Sequence, residues 1–268
     1  MGRELRPYQN DCHNAVISDY EKGILRLLIV LFTGAGKTYL LIKLMERIGF
    51  KRVLWLSFQT ELVDQSAMAF IKDKFDTDFY EKAKEVGFLD FVKNNGFDGE
   101  DFKIGCVKAD IFDINADVVM GSVQTITNRL DLIDEDYFDC IICDEAHLFC
   151  SKSAVNVLNY FKPKLLIGAT ATPTRADNLQ LSDIFDKISY EYGLDRGIRD
   201  GWSSELEAVR IKTSTNLDDV HTIGGEFSQR ELADEINTLS RNQLIVDSWK
   251  KYCEGRQTLA FCVDIKHA

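Results

Sequence analysis

The chain of 268 residues is poor in the residues that mark several protein classes. Only 3 prolines and no low-complexity tract argue against a linker-like or disordered chain, and a length of 268 residues with 45% apolar side chains can bury a sizeable core. Long hydrophobic runs are missing: the longest apolar stretch, Gly23 to Phe32, is interrupted by Arg26 and is too short to cross a bilayer. The first residues, among them Arg3, Glu4 and Arg6, have neither the apolar segment of a signal peptide nor a transit pattern, so a cytoplasmic location and no membrane partner are expected. The 7 cysteines are odd in number and several lie in apolar runs, which reads as reduced, buried thiol. Cys140 and Cys143 have CxxC spacing, but no second pair completes a zinc site and the segment reads as a buried strand.

The net charge of −11 at first disfavours a polyanionic partner, yet residues 61–139 alone hold 19 acids and 8 bases. The rest of the chain is balanced, and a neutral or locally basic face remains open to nucleic acid.

Short apolar runs alternate with helical patterns. Gly23–Phe32, Arg52–Ser57, Lys103–Val107, Asp117–Gly121, Phe138–Cys143 and Lys164–Ala169 read as buried strands, which predicts an α/β fold with a mostly parallel sheet and helices on both faces. Ligand chemistry then belongs at the carboxyl ends of the strands. Ser204–Lys212 reads as a further strand, Thr213–Glu226 as polar linker, Ser228–Glu254 as helix and Gln257–Val263 as another apolar strand. The expected division is a first domain over 1–212, a linker over 213–227 and the start of a second domain over 228–268.

Thr33-Gly34-Ala35-Gly36-Lys37-Thr38 follows a strand and opens a helix, the setting of a P-loop. Small residues let backbone N–H groups wrap a polyphosphate, Lys37 reaches the β/γ-phosphates and the Thr38 hydroxyl faces Mg²⁺. Leu31 stands where the general pattern has its first glycine. Asp144-Glu145-Ala146-His147 ends a buried strand, with Asp144 suited to hold Mg²⁺ and Glu145 to polarise water for attack on the γ-phosphate.

Together these motifs resemble the superfamily 2 DEAH-box helicases and translocases, in the flavour of the restriction-subunit, excision-repair and Irc3-like branch. Further segments match that family in order. Leu5-Arg6-Pro7-Tyr8-Gln9 resembles the motif whose glutamine reads adenine; Leu56 to Gln65 resembles motif Ia and Gly121-Ser122-Val123-Gln124-Thr125 motif Ib; Gly168 to Arg175 resembles motif III; and Gln257 to Val263 looks like the first strand of the second RecA-like domain. The resemblance implies a RecA-like P-loop NTPase domain that uses ATP and Mg²⁺ and moves on nucleic acid, DNA rather than RNA on family flavour alone.

It implies Glu145 and Lys37 as catalytic groups, with Gln9, Thr33, Gly34, Ala35, Gly36, Lys37, Thr38 and Asp144 around the nucleotide and Thr38 and Asp144 on the metal. It also implies His147, Thr170 and Thr172 as coupling residues, and Gln59, Thr60, Ser122, Gln124 and Thr125 on the nucleic-acid backbone. The hydroxyls and amides of this set are equally suited to capping helices. Motifs V and VI, whose arginines reach the γ-phosphate, are not found before Ala268, so the remainder of the second domain is the expected partner and hydrolysis by these residues alone is expected to be weak. The rival readings are a nucleotide-gated nucleic-acid binding or sensing module and a P-loop small-molecule kinase.

Overall fold

A computed structural model describes residues 4–58, 60–75, 77–87, 102–172, 181–223 and 226–268. The chain divides into two compact units, Met1–Ser204 and Glu205–Ala268. In the first unit, helix α1 (Pro7–Glu21) leads into β1 (Arg26–Leu31), α2 (Lys37–Ile48), β2 (Val53–Ser57), α3 (Thr60–Lys74) and α4 (Thr77–Val86). Then come β3 (Ile104–Lys108), β4 (Ile111–Asp113), β5 (Val118–Ser122), α5 (Val123–Thr127), β6 (Cys140–Asp144), α6 (Lys152–Tyr160), β7 (Leu165–Thr170), β8 (Lys187–Tyr192) and α7 (Leu194–Arg199).

The sheet runs β4-β3-β5-β2-β6-β7-β1-β8, every neighbouring pair parallel except β3 with β4. The inner parallel strands, unlike the partly exposed edge strand β8, are almost wholly buried because both faces are covered. In β1, Leu27, Ile29 and Leu31 join the core under α1, α2 and α3, while Leu28 and Val30 join the core on the other face with Val157, Leu158 and Phe161. That alternation is the period of the pleat. It also separates the CxxC: Cys140 packs in one core and Cys143 in the other, so the two thiols lie on opposite faces of β6, and burial pushes both upward. A shared metal is geometrically excluded for that pair.

All six expected strands are present, each starting later than expected and ending within one residue of the expected bound, and β8 and β4 are additional. The strand expected over Ser204–Lys212 does not form. Leu206 and Val209 are exposed, and no neighbouring strand among the described residues offers them a ladder. The same correction applies to Gln257–Val263, which is not a strand: Leu259 is 78% and Phe261 90% exposed. An apolar run becomes a strand only when another strand satisfies its N–H and C=O groups. The second unit otherwise contains a short hairpin of β9 (Thr222–Ile223) and β10 (Glu226–Phe227), then α8 (Gln229–Ile236) and α9 (Leu239–Tyr252). The expected single helix is thus two, divided at Asn237–Thr238.

At the free edge of the sheet, Lys187 of β8 places its ammonium 2.7 Å from Asp19 of α1, whose side chain is 5% exposed. This hydrogen-bonded cation holds the Asp19 carboxyl below its usual range. A depressed carboxyl contributes stability above its unfolded value and loses it as pH falls through the folded one. Lys187→Ala is therefore expected to cost about 0.5–1 kcal/mol near neutrality. The difference from wild type should vanish in acid, and thermal melts as a function of pH check this; a pH-independent difference would remove the ion pair from the account.

Candidate nucleotide site

Because seven strands run the same way, their carboxyl ends share one edge, and the chemistry-bearing segments follow there. β1 ends at Leu31, fully buried in the core, so the position where the P-loop pattern has its first glycine is still strand here. The loop proper turns at Gly34 (φ +87°) and Gly36 (φ +78°), left-handed conformations that glycine adopts without the Cβ penalty. α2 starts directly after Gly36, so its first N–H groups and its dipole face the loop.

The loop is held from α1. The Tyr8 hydroxyl donates to the Ala35 carbonyl at 2.7 Å, and Gln9 Nε2 donates to the same oxygen at 3.0 Å. Gln9 Oε1 accepts from the Arg6 backbone N–H at 2.9 Å, closing the first turn of α1. Gln9 is 3% exposed, and its amide keeps one N–H and one lone pair beyond these two bonds. Tyr8 stacks on Tyr192 with centroids 4.5 Å apart, so the anchoring residue is itself fixed against β8. Tyr8, Phe32 and Trp55 are buried aromatics, as their apolar settings suggest.

On β6, two strands from β1, Asp144 is the last strand residue and is 7% exposed. Its Oδ1 accepts from the Glu145 backbone N–H at 3.1 Å and its Oδ2 from the Ser66 hydroxyl at 3.3 Å. Burial and the neighbouring Glu145 charge raise the Asp144 carboxyl, against the pull of Lys37. Glu145 sits in the left-handed region (φ +53°, ψ +57°), a conformation that costs a non-glycine residue about 1–2 kcal/mol. Backbone strain of this kind concentrates at functional sites.

The strained turn places the Glu145 carboxylate between two cationic or polar groups: Lys37 Nζ lies 3.7 Å from Oε1, and His147 Nδ1 lies 3.5 Å from Oε2. His147 Nδ1 is also 3.0 Å from Thr170 Oγ1 at the end of β7. Thr170 is fully buried; its hydroxyl accepts from the Thr172 N–H at 3.1 Å and donates to the Thr172 carbonyl at 3.2 Å. This network assigns the proton on Nδ1, which then donates to Thr170.

The structure therefore brings Lys37, Glu145, His147 and Thr170 into one chain of contacts, with Asp144 beside it. Thr33 and Thr172 are exposed, and Thr38 is half-buried in the first turn of α2. The motif Ib residues are arranged differently from a row of open hydroxyls. Ser122 is buried and caps α5, accepting from the Thr125 N–H at 3.2 Å and donating to Thr125 Oγ1 at 2.8 Å, which leaves Gln124 as the exposed polar group. Thr60 opens α3, but its side chain and all of Gln59 lie outside the described residues.

Two side chains at this edge were not indicated by the motifs. Ser66 of α3 reaches Asp144, and Lys108 at the end of β3 bonds Asp64 at 2.8 and 2.9 Å. Ser66 directly follows the motif Ia string, so helical spacing from Val63 was the available signal. A cleft of about 720 Å³ lined by Lys51, Arg52, Lys103 and Lys164 lies at the opposite, amino-terminal edge of the sheet. It receives the C-terminal end of α2 at Gly49, whose carbonyl dipole disfavours phosphate, so we do not place nucleotide there.

Strand order, loop and acid define a RecA-like P-loop domain of the superfamily 2 helicase kind. Comparison with known proteins agrees: the chain belongs to the family described as type III restriction enzyme, res subunit, whose profile matches residues 3–175. It is 30% identical over 281 residues to the IRC3 protein of Saccharomyces cerevisiae, a match covering 98% of this chain and 37% of that protein. It is 26% identical over 296 residues to the endonuclease subunit of the type I restriction enzyme EcoAI of Escherichia coli, covering 100% of this chain and 33% of the relative. The chain thus spans about a third of the length of each.

Among solved structures, a fragment of an HsdR-type subunit of a type I restriction enzyme from Vibrio vulnificus YJ016 superposes with a TM-score of 0.61 at 23% identity, over 100% of this chain and 44% of that one. A nuclease-deletion mutant of the type ISP enzyme LlaGI, solved with a DNA substrate mimic, gives 0.54 at 17% identity over 93% and 24%. These likenesses speak to the fold. No helix among the described residues is long and apolar enough to cross a membrane.

Proposed function

We propose that the chain is the nucleotide-binding half of an ATP-dependent nucleic-acid translocase or helicase, acting on DNA. The observation that carries this reading is the chain of contacts from Lys37 through Glu145 and His147 to Thr170, set beside a glycine loop at one edge of a parallel sheet. Residues 1–212 form the first RecA-like domain in this reading, 213–227 the linker and 228–268 the opening of the second. A cytoplasmic location goes with it.

Mg²⁺ suits the donor set. Thr38 and Asp144 offer hard oxygens, and no cluster of three or more His, Cys, Asp or Glu among the described residues builds an all-protein cage. That is the pattern of a cation bound by one carboxylate, a hydroxyl, water and substrate phosphates. When bound, it neutralises phosphate charge. The chain's own groups do the rest. Amides of residues 34–38 and the Lys37 ammonium bind the phosphates. Glu145 orients a water for in-line attack, and the Gln9 amide, with its spare donor and acceptor, reads the adenine edge. His147 transmits a change at Glu145 to Thr170. Phosphoryl transfer is mainly positioning and charge stabilisation, which is what this arrangement offers. On the outer strand ends, Gln124 and the first turn of α3 contact the sugar–phosphate backbone, with little base specificity.

The arginines that stabilise the transferring phosphoryl group are proposed to lie in the part of the relatives' length that this chain does not span. Such a residue is worth roughly 10³–10⁵ in kcat. The 268-residue chain is accordingly expected to bind ATP and hydrolyse it slowly, with little response to DNA, whereas a chain that also carries a complete second domain is expected to respond strongly. Steady-state ATPase of both, with single-stranded DNA, duplex DNA and RNA, tests the reading. A two-domain chain whose ATPase ignores every nucleic acid would favour a nucleotide-gated binding module, and transfer of phosphate to an acceptor other than water would favour a kinase.

A further inference from the structure

We infer that Ser66 is a positioning residue for the Mg²⁺ acid, an inference that rests on the nucleotide-site reading above. Asp144 is a buried carboxylate at the end of β6, and two features of its surroundings fix its two oxygens by different means. Oδ1 is tied to the next residue's backbone N–H, a bond within its own turn. Oδ2 has its hydrogen-bond donor 78 residues away in sequence, the Ser66 hydroxyl at 3.3 Å. A carboxylate held at one oxygen can still rotate about its Cβ–Cγ bond. The second donor removes that freedom, and the lone pairs left on both oxygens then have fixed directions.

The donor itself is rigidly placed. Ser66 is 3% exposed and lies on α3 between Val63, Ala67 and Phe70, all buried in the core against the sheet. Two residues earlier, Asp64 is bonded to Lys108 at the end of β3, so α3 is fastened at the ends of both β3 and β6. In the order β3-β5-β2-β6, these strands are separated by two others, and α3 spans them. The hydroxyl is therefore presented by an element that cannot easily roll.

A merely space-filling Ser66 would matter to stability and not to the metal. Loss of a donor behind a metal-binding carboxylate instead weakens metal affinity, typically 10- to 100-fold. The test is equilibrium binding of a fluorescent ATP analogue across a Mg²⁺ titration and in EDTA, with no turnover read, alongside thermal melts. Ser66→Ala is expected to raise the Mg²⁺ half-saturation about 10-fold while leaving affinity in EDTA within about twofold. Ser66→Thr keeps the hydroxyl and stays within about threefold of wild type. Should the alanine variant fail to fold, Ser66→Cys, slightly larger and with only a weak S–H donor, is expected to show the same shift. Asp144→Asn serves as the reference for the acid itself. An unshifted half-saturation in a folded Ser66→Ala, with Asp144→Asn shifted, overturns the inference and leaves the Mg²⁺ assignment standing; unshifted values in both overturn the two together.

Discussion

Lys37→Ala is expected to lower ATP affinity about 100-fold, the effect of removing a charge-assisted hydrogen bond worth about 1.5–3 kcal/mol from a partly buried site. The geometry pushes the loss toward the upper end of that range. Asp144 is buried, Glu145 is half-exposed, and the Lys37 ammonium lies within ion-pair reach of Glu145. Without it, two carboxylates confront an incoming polyphosphate. The fold should be indifferent, since a 3.7 Å pair between side chains 11% and 30% exposed contributes little to stability. Equilibrium ATP binding beside a thermal melt separates the two effects. Equal affinity in wild type and variant would place the phosphates elsewhere.

What the sequence made legible, and what it did not, follows the range of the interactions involved. The buried strands could be read because a strand covered on both faces is apolar along most of its length, as Val53–Ser57 and Cys140–Asp144 are up to their last, polar residue. The P-loop could be read because its chemistry is local: two glycines at positive φ, a lysine and a hydroxyl in sequence. β8 escaped notice because an edge strand alternates, and Lys-Ile-Ser-Tyr-Glu-Tyr has no continuous apolar run. The stretches 204–212 and 257–263 show the opposite failure, since their residues have strand character without a neighbour to complete a ladder.

The site divides along the same line. Asp144 and Glu145 stand out in the chain, but the strained backbone of Glu145 does not. Neither does the double hold on the Ala35 carbonyl by Tyr8 and Gln9, nor the approach of Ser66 to Asp144. Capping was an equal reading for Ser122 and Thr125, and their hydroxyls do close the first turn of α5.

Glu145→Gln is expected to leave nucleotide binding within a few-fold of wild type and to lower kcat about 10³-fold, within the range for loss of a positioned general base. Glutamine keeps the length and shape of the side chain and tolerates the left-handed backbone no worse than glutamate, so the turn that follows β6 should survive. What changes is charge at one point. The carboxylate that faces Lys37 at 3.7 Å and His147 at 3.5 Å becomes an amide that accepts a hydrogen bond but no longer draws a proton from water. Asp144 keeps its bonds to the residue 145 N–H and to Ser66, so Mg²⁺ dependence of binding should be unaltered. The affinity and the rate are thus predicted to part company, unlike Lys37→Ala, where affinity itself falls. Binding and single-turnover hydrolysis of wild type and variant, measured at saturating nucleotide and DNA, resolve them. A rate within tenfold of wild type would mean that another group positions the attacking water.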